Sequence, residues 1–262
     1  MIGIFDSGIG GLTVASAVIR EFPDCDVLYF GDTARTPYGT KSAETIERYS
    51  IENTRFLMDR GASIIVIACN TASSAATERL RAEFSVPIFE VITPAVKMAL
   101  ADPKSKRIGV IGTRGTIGSG IYEKKIKALA PDKSVVSEPC PLLVPLVEEG
   151  WLEKPETRMI VKDYLHPLKT RQVDTLILGC THYPVLKGII SRKIGKRVRI
   201  IDSSLAVVEA MKEYMEEHPE VKKELGNQGR LSAYVSDITP QFSKIAKMIL
   251  NRSVPLSKAS SV

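Results

Sequence analysis

No apolar run in this chain comes near the roughly 18 residues that read as a membrane span. The longest, 64–69 and the neighbourhood of 205–208, are a fraction of that length. The start, MIGIFDSGIGG, lacks the basic residues and long apolar stretch of a secretory signal and reaches Asp6 within a few positions. A soluble cytoplasmic protein without a membrane partner is therefore expected. Cysteine is scarce as well: Cys25, Cys69, Cys140 and Cys180 are the whole set, and no pair has zinc-knuckle spacing. A chain of 262 residues, 44% hydrophobic, is large enough to fold without disulfide staples. No cluster of metal-ligating residues is evident, and no lysine sits where a pyridoxal Schiff base is readily placed. The glycine-rich segment from Asp6 to Gly11 does not spell G-x-G-x-x-G, and Asp6 would repel a pyrophosphate. Neither a metal nor a cofactor is expected, which leaves free thiols to be explained.

The formal charge of +6 is modest. Its richest stretch, Lys187, Arg192, Lys193, Lys196, Arg197 and Arg199, has no interleaved aromatics, so it reads as a solvated helix face followed by a strand. Nucleic acid is not an expected partner.

The hydrophobic pattern describes two similar halves. Strands are expected at 1–5, 27–30, 63–68 and 88–91, with helices at 12–19, 42–59 and 72–84 and a loop at 33–40. The pattern restarts with strands at 107–111, 135–137 and 175–178, a turn at 112–118, and helices at 121–129, 144–149 and 155–165. A strand near 200, a helix at 206–217, a loop or helix end at 218–230, a strand at 231–235, a helix at 240–250 and a frayed tail at 254–262 complete it. Runs such as 63–68 and 175–178 are apolar throughout, the mark of strands covered on both faces in a parallel sheet. The fold class is α/β, with two open-sheet units of related design. The first takes residues 1–95 and is completed by 207–262, and the second takes 96–206. In each half a turn of small residues follows the first strand and a cysteine follows a central one, at the carboxyl edge where open sheets bind ligands.

Each of these residues has a plain reading beside a chemical one. Cys69 and Cys180 are buried filler or reactive thiols. Asp6 and Ser7 cap the first helix, or hold a substrate ammonium and carboxylate. Tyr38 packs under its loop or presents its hydroxyl with the Gly39 backbone, and Thr113 and Thr116 bond local backbone or a carboxylate. His182 is a satisfied structural histidine or the partner of Cys180, while His166 and His218, each before a proline, are structural or surface residues. A single nucleophilic cysteine would call for a close histidine base. Two equivalent thiols facing each other suit another task, in which one group removes the α-proton of an amino acid and the other returns a proton to the opposite face.

The motifs FDSGIGGLTV (5–14), GDTARTPYGTKS (31–42), ACNTASS (68–74), IGVIGTRGTIGSGIY (108–122), CPLLVPLVEEG (140–150) and LGCTHYP (178–184) occur in order over most of the first 204 residues. In these the chain resembles the bacterial glutamate racemases of the aspartate/glutamate racemase family; aspartate racemases usually lack THYP after the second thiol. The resemblance implies two pseudo-symmetric open-sheet α/β domains with the active site in the cleft between them, and cofactor-independent interconversion of L-glutamate and D-glutamate, the latter for peptidoglycan, in a homo-oligomer such as a dimer. It makes Cys69 the base for D-glutamate and Cys180 the base for L-glutamate, with Asp6 and His182 as assisting neighbours. Ser7, Tyr38, Gly39, Asn70, Thr71 and Thr181 become substrate contacts, with Thr113 and Thr116 as additions. Glu148 resembles an acidic residue near the second thiol, with the adjacent Glu149 as the alternative for that place.

Overall fold

A computed structural model describes residues 1–226 and 228–259. From the N-terminus, β1 (Ile2–Asp6), α1 (Leu12–Glu21), β2 (Val27–Gly31), α2 (Ala43–Met58), β3 (Ile64–Ile67), α3 (Asn70–Glu83), β4 (Ile88–Glu90) and α4 (Ile92–Leu100) follow one another. The second run is β5 (Arg107–Gly112), α5 (Arg114–Gly118), α6 (Ile121–Leu129), β6 (Ser134–Pro139), α7 (Leu143–Glu148), α8 (Pro155–Thr170), β7 (Thr175–Gly179), α9 (Lys187–Ile194) and β8 (Arg199–Asp202). The chain ends with α10 (Ser203–Glu217), α11 (Pro219–Glu224), β9 (Leu231–Val235), α12 (Pro240–Leu250) and β10 (Leu256–Lys258).

Two sheets result, with strand orders β10-β9-β2-β1-β3-β4 and β6-β5-β7-β8, and every pairing is parallel. In both, the first strand of the half lies between the second and the third. The chain thus steps one way from β1 to β2 and then back past β1 to β3, and it repeats this at β5, β6 and β7. Such reversals open a crevice at the carboxyl ends of the two central strands. Here the registers end with Phe5 opposite Ile67 and Gly112 opposite Gly179, and Cys69 and Cys180 follow Ile67 and Gly179 by two residues and one.

Helices cover both faces of each sheet, so alternate side chains of one strand enter different cores. Ile64 and Val66 join a large core shared by both sheets, with Ile108, Val110 and Ile177 from the second, and α1, α4 and α10 fill the space between them. Ile65 and Ile67 face a second core under α2 and α3. Ile111, Leu176 and Leu178 face a third under α8 and α9. No helix of the described residues is long and apolar enough to cross a membrane.

Several expectations are corrected. Ile92–Leu100, left unassigned beyond the strand at 88–91, is the helix α4; Pro94 sits in its first turn, where its missing N–H costs nothing. The turn at 112–118 closes into α5 because the Thr113 hydroxyl accepts from Thr116 N and caps it. α8 runs past Pro167 to Thr170, carried by the buried face of Leu165 and Leu168. Within 218–230, Pro219–Glu224 is helical. The tail expected to fray forms the edge strand β10 on β9, while residues 260–262 lie outside the described residues.

Gly3 lies in the centre of β1, where an added Cβ would sit 2.7 Å from Ala62 Cβ and 3.2 Å from Leu57 Cβ, neither of which can swing aside. Gly3→Ala is expected to cost about 1–3 kcal/mol by overpacking, read as a lower urea midpoint at unchanged slope.

Candidate active site

The four switch-point turns meet at a small, nearly closed cavity. Ser7, Pro37, Tyr38, Gly39, Cys69, Asn70, Thr71, Thr113, Val144, Cys180, Thr181 and His182 line it, and its volume is about 30 Å³. Larger concavities of ≈ 400 Å³ lie elsewhere on the surface, open and without a thiol in their lining. Cys25 and Cys140 are buried as well but do not line the small cavity.

Cys69 is the N-cap of α3: Ala72 N donates to its Sγ at 3.5 Å, and Sγ lies 3.5 Å from Ser7 Oγ. Burial, reinforced by the negative charge of Asp6, pushes this thiol up to about 12, against the Ser7 and Ala72 hydrogen bonds. Asp6 is fully buried, and its Oδ2 accepts from Gly8 N at 3.0 Å. Burial raises its carboxyl above the usual range, and the nearby His182 charge together with the Gly8, Gly11 and Thr181 hydrogen bonds opposes that rise.

Cys180 stands on the facing turn. Its Sγ is 3.8 Å from His182 Nδ1, and His182 Nε2 is 3.1 Å from Glu148 Oε1. Burial alone would push the imidazole down, but the Cys180 and Glu148 partners outweigh it and hold His182 up at about 10. That setting favours the protonated ring, which can donate on one side toward sulfur and on the other to a carboxylate. Glu148, not Glu149, makes the contact, and Gln241 Nε2 of α12 donates to the Glu148 carbonyl at 2.6 Å.

The two turns are tied to each other. Thr181 Oγ1 donates to Asp6 Oδ1 at 3.3 Å, and Thr13 Oγ1 donates to Thr181 O at 3.0 Å. Gly10 makes this approach possible, because a Cβ there would overlap the His182 ring and lie 2.7 Å from Thr181 Oγ1. On the other side of the cavity Thr71 Oγ1 is 2.9 Å from Thr113 Oγ1 and 3.1 Å from Thr116 Oγ1, so three hydroxyls from both halves form one cluster. The Tyr38 hydroxyl donates to Asp32, and Asn53 Nδ2 donates to it at 3.1 Å, which holds the ring beneath the Gly39 loop. Burial and the Asp32 charge raise that phenol far above its ordinary value, so it stays protonated.

All the residues singled out from the sequence thus gather at one place. Asp6, Glu148 and Thr116 stand one layer behind the lining side chains. Pro37, Val144, Asp32, Asn53 and Gly10 were missed; the first three and Gly10 lie within or next to the quoted motifs, whereas Asn53 carries no signal beyond being a polar residue on a helix face that proves buried. Among the described residues no group of three or more His, Cys, Asp or Glu side chains is placed to hold a metal ion.

The sequence pattern of the Asp/Glu/Hydantoin racemase family matches residues 13–211. The chain is 45% identical over 249 residues to the glutamate racemase of Geobacter metallireducens, spanning 95% of this chain and 92% of that protein. Among solved structures, a glutamate racemase from Bacillus anthracis superposes with a TM-score of 0.92 at 35% identity, covering 99% of this chain and 97% of the other. The glutamate racemase of Francisella tularensis in complex with D-glutamate gives 0.90 at 36% identity, with the same coverage.

A histidine held at about 10 when folded and 6.5 when free stabilises the fold fully below pH 6.5, and that contribution is lost as pH rises toward 10. The buried Cys69 thiol acts in the same direction, since above its ordinary value only the unfolded chain ionises freely. Stability is therefore expected to decline on the alkaline side. In Glu148→Gln the decline attributable to His182 still begins near pH 6.5, which the unfolded chain sets, but it ends at lower pH and is smaller overall, and urea unfolding between pH 6 and 10 measures it.

Proposed function

The chain belongs to the Asp/Glu/Hydantoin racemase family, among its glutamate racemases, and from that premise we propose that it interconverts L-glutamate and D-glutamate by proton transfer between two thiols. The observation that carries the reading is the pair Cys69 and Cys180, brought from separate sheets to one small cavity. With L-glutamate, the Cys180 sulfur, as thiolate beside the His182 cation, takes the α-proton. The electron pair left on carbon spreads into the adjacent carboxylate, and Cys69, still a thiol, delivers its own proton to the opposite face. The product is D-glutamate, with Cys69 as thiolate and Cys180 as thiol; the reverse reaction runs the same steps backwards.

The unequal settings of the two sulfurs support this division. A raised thiol at Cys69 keeps its proton available to give, and a cation 3.8 Å from Cys180 favours negative charge there. Because the α-carbon is a very weak acid, donors must be aimed at the substrate carboxylates before charge develops. Ser7, Asn70, Thr71, Thr113, Thr116 and Thr181 supply them with the Gly39 backbone, and Tyr38 shapes the wall. Asp6 and Glu148 act through their neighbours, Asp6 facing the Cys69 side and Glu148 holding the His182 ring. No cofactor enters this chemistry. The same reading has the protein act in the cytoplasm as a homodimer supplying D-glutamate for peptidoglycan, and it takes the basic surface as solubility rather than nucleic-acid affinity.

In deuterated buffer without added pyridoxal phosphate, either pure enantiomer of glutamate should gain an α-deuteron while turning into its mirror form. Folded protein that does neither would end the racemase reading. Cys69→Ser and Cys180→Ser should each lower full racemisation by about 10³-fold or more, while exchange without inversion survives for the enantiomer whose own base remains. A trapped thioester would instead favour a hydrolase.

A further inference from the structure

Asn70 begins α3 directly after Cys69, and its residue is 2% exposed. Its Oδ1 accepts from the Tyr122 hydroxyl at 2.6 Å, and its Nδ2, also buried, has no hydrogen-bond partner among the described residues. A buried amide nitrogen left alone costs about 1–3 kcal/mol, and no other side chain lining the cavity has a fully buried nitrogen or oxygen without a partner among the described residues. Tyr122 comes from the other half of the molecule. It sits at the start of α6, is 2% exposed, and its ring lies where a Cβ on Gly179 would reach to 3.2 Å of its Cε2. One side chain therefore rests on the residue before Cys180 and bonds the residue after Cys69.

We infer that Tyr122 is a positioning residue for the reaction: its hydroxyl, bonded to Asn70 Oδ1, fixes the amide so that its NH₂ is offered to the cavity as a donor to the substrate carboxylate. An amide can turn over and exchange oxygen for nitrogen, and only its bonding partner decides between the two settings. A phenol has one proton to give. Burial, with the charges of Glu90 and Cys180 nearby, raises Tyr122 well above its ordinary value, so that proton is retained, and here it is given to Asn70 Oδ1 at 2.6 Å, which leaves Nδ2 on the other side of the amide. If the amide turned, its carbonyl would meet the substrate carboxylate and repel it. Because the carboxylate is common to both enantiomers, the effect is the same in both directions, unlike that of a residue belonging to one thiol.

This inference rests on the racemase reading. Steady-state kinetics with L-glutamate and with D-glutamate are to be measured for the wild type, Tyr122→Phe, Asn70→Ala and the double variant, with circular dichroism confirming the fold. Tyr122→Phe should raise KM about tenfold for both enantiomers, with kcat changed far less. In the Asn70→Ala background the same substitution should do nothing further, whereas a merely structural tyrosine would add its loss again. Asn70→Asp keeps an oxygen for Tyr122 but removes the NH₂; it should raise KM by more than the tyrosine variant, and it tests the inference even if Tyr122→Phe fails to fold. Wild-type KM in Tyr122→Phe or Asn70→Asp, or losses that multiply in the double variant, would overturn it. A wild-type protein with no turnover of either enantiomer would remove the racemase reading and this inference with it.

Discussion

Two parallel sheets must bring the carboxyl ends of their central strands to the same point, and the rest of the molecule answers to that demand. The repeated strand order β2-β1-β3-β4 and β6-β5-β7-β8 makes each half present a first-strand turn and a third-strand cysteine side by side. One half alone offers one thiol and half a ring of hydroxyls. Joined, they make a small cavity lined by both thiols. The close approach has specific causes: Gly10 leaves space for His182 and Thr181, and Gly39 leaves space for Thr113, where a Cβ would come to 2.8 Å.

Burying the site sets its electrostatics as much as its shape. Asp6, Cys69 and His182 are taken out of water, which disfavours the charged form of each. The protein offsets this unequally. His182 has a sulfur and a carboxylate to stabilise its proton, whereas Cys69 has only a hydroxyl and one backbone N–H against the charge of Asp6. A symmetric fold thereby yields an asymmetric pair, one sulfur beside a cation and one that holds its proton, and a two-base transfer needs both protonation states present at once.

The short, β-branched apolar runs made the sheets readable from the sequence, since 64–68 and 176–178 have no polar face and are too short for a buried helix. The cysteines that follow those strands, and the small polar residues next to them, then located the site. What escaped was decided by contacts distant in sequence. β10 pairs only because β9 supplies an edge, and its own residues carry no strong strand signal. α4 begins immediately after a three-residue strand, so strand and helix merge into one apolar stretch. Asn53 and Tyr122 gave no local sign of function, because each acts through a hydroxyl or amide more than ten residues away.

The seam between the halves is not uniform, and this bears on how a substrate reaches so small a space. Away from the cavity the halves share a continuous apolar core through α1, α4 and α10, a contact whose separation would expose large apolar area at about 25 cal/mol per Å². Around the cavity they are joined by single hydrogen bonds, Thr181 to Asp6, Thr13 to Thr181, Thr71 to Thr113 and Tyr122 to Asn70, each worth about 1 kcal/mol net. A volume of about 30 Å³ has room for one or two waters and not for a five-carbon amino acid. The side of the seam that can part at modest cost is the side that holds the thiols. The groups that parting would free are hydroxyls, an amide and a carboxylate, all of them polar.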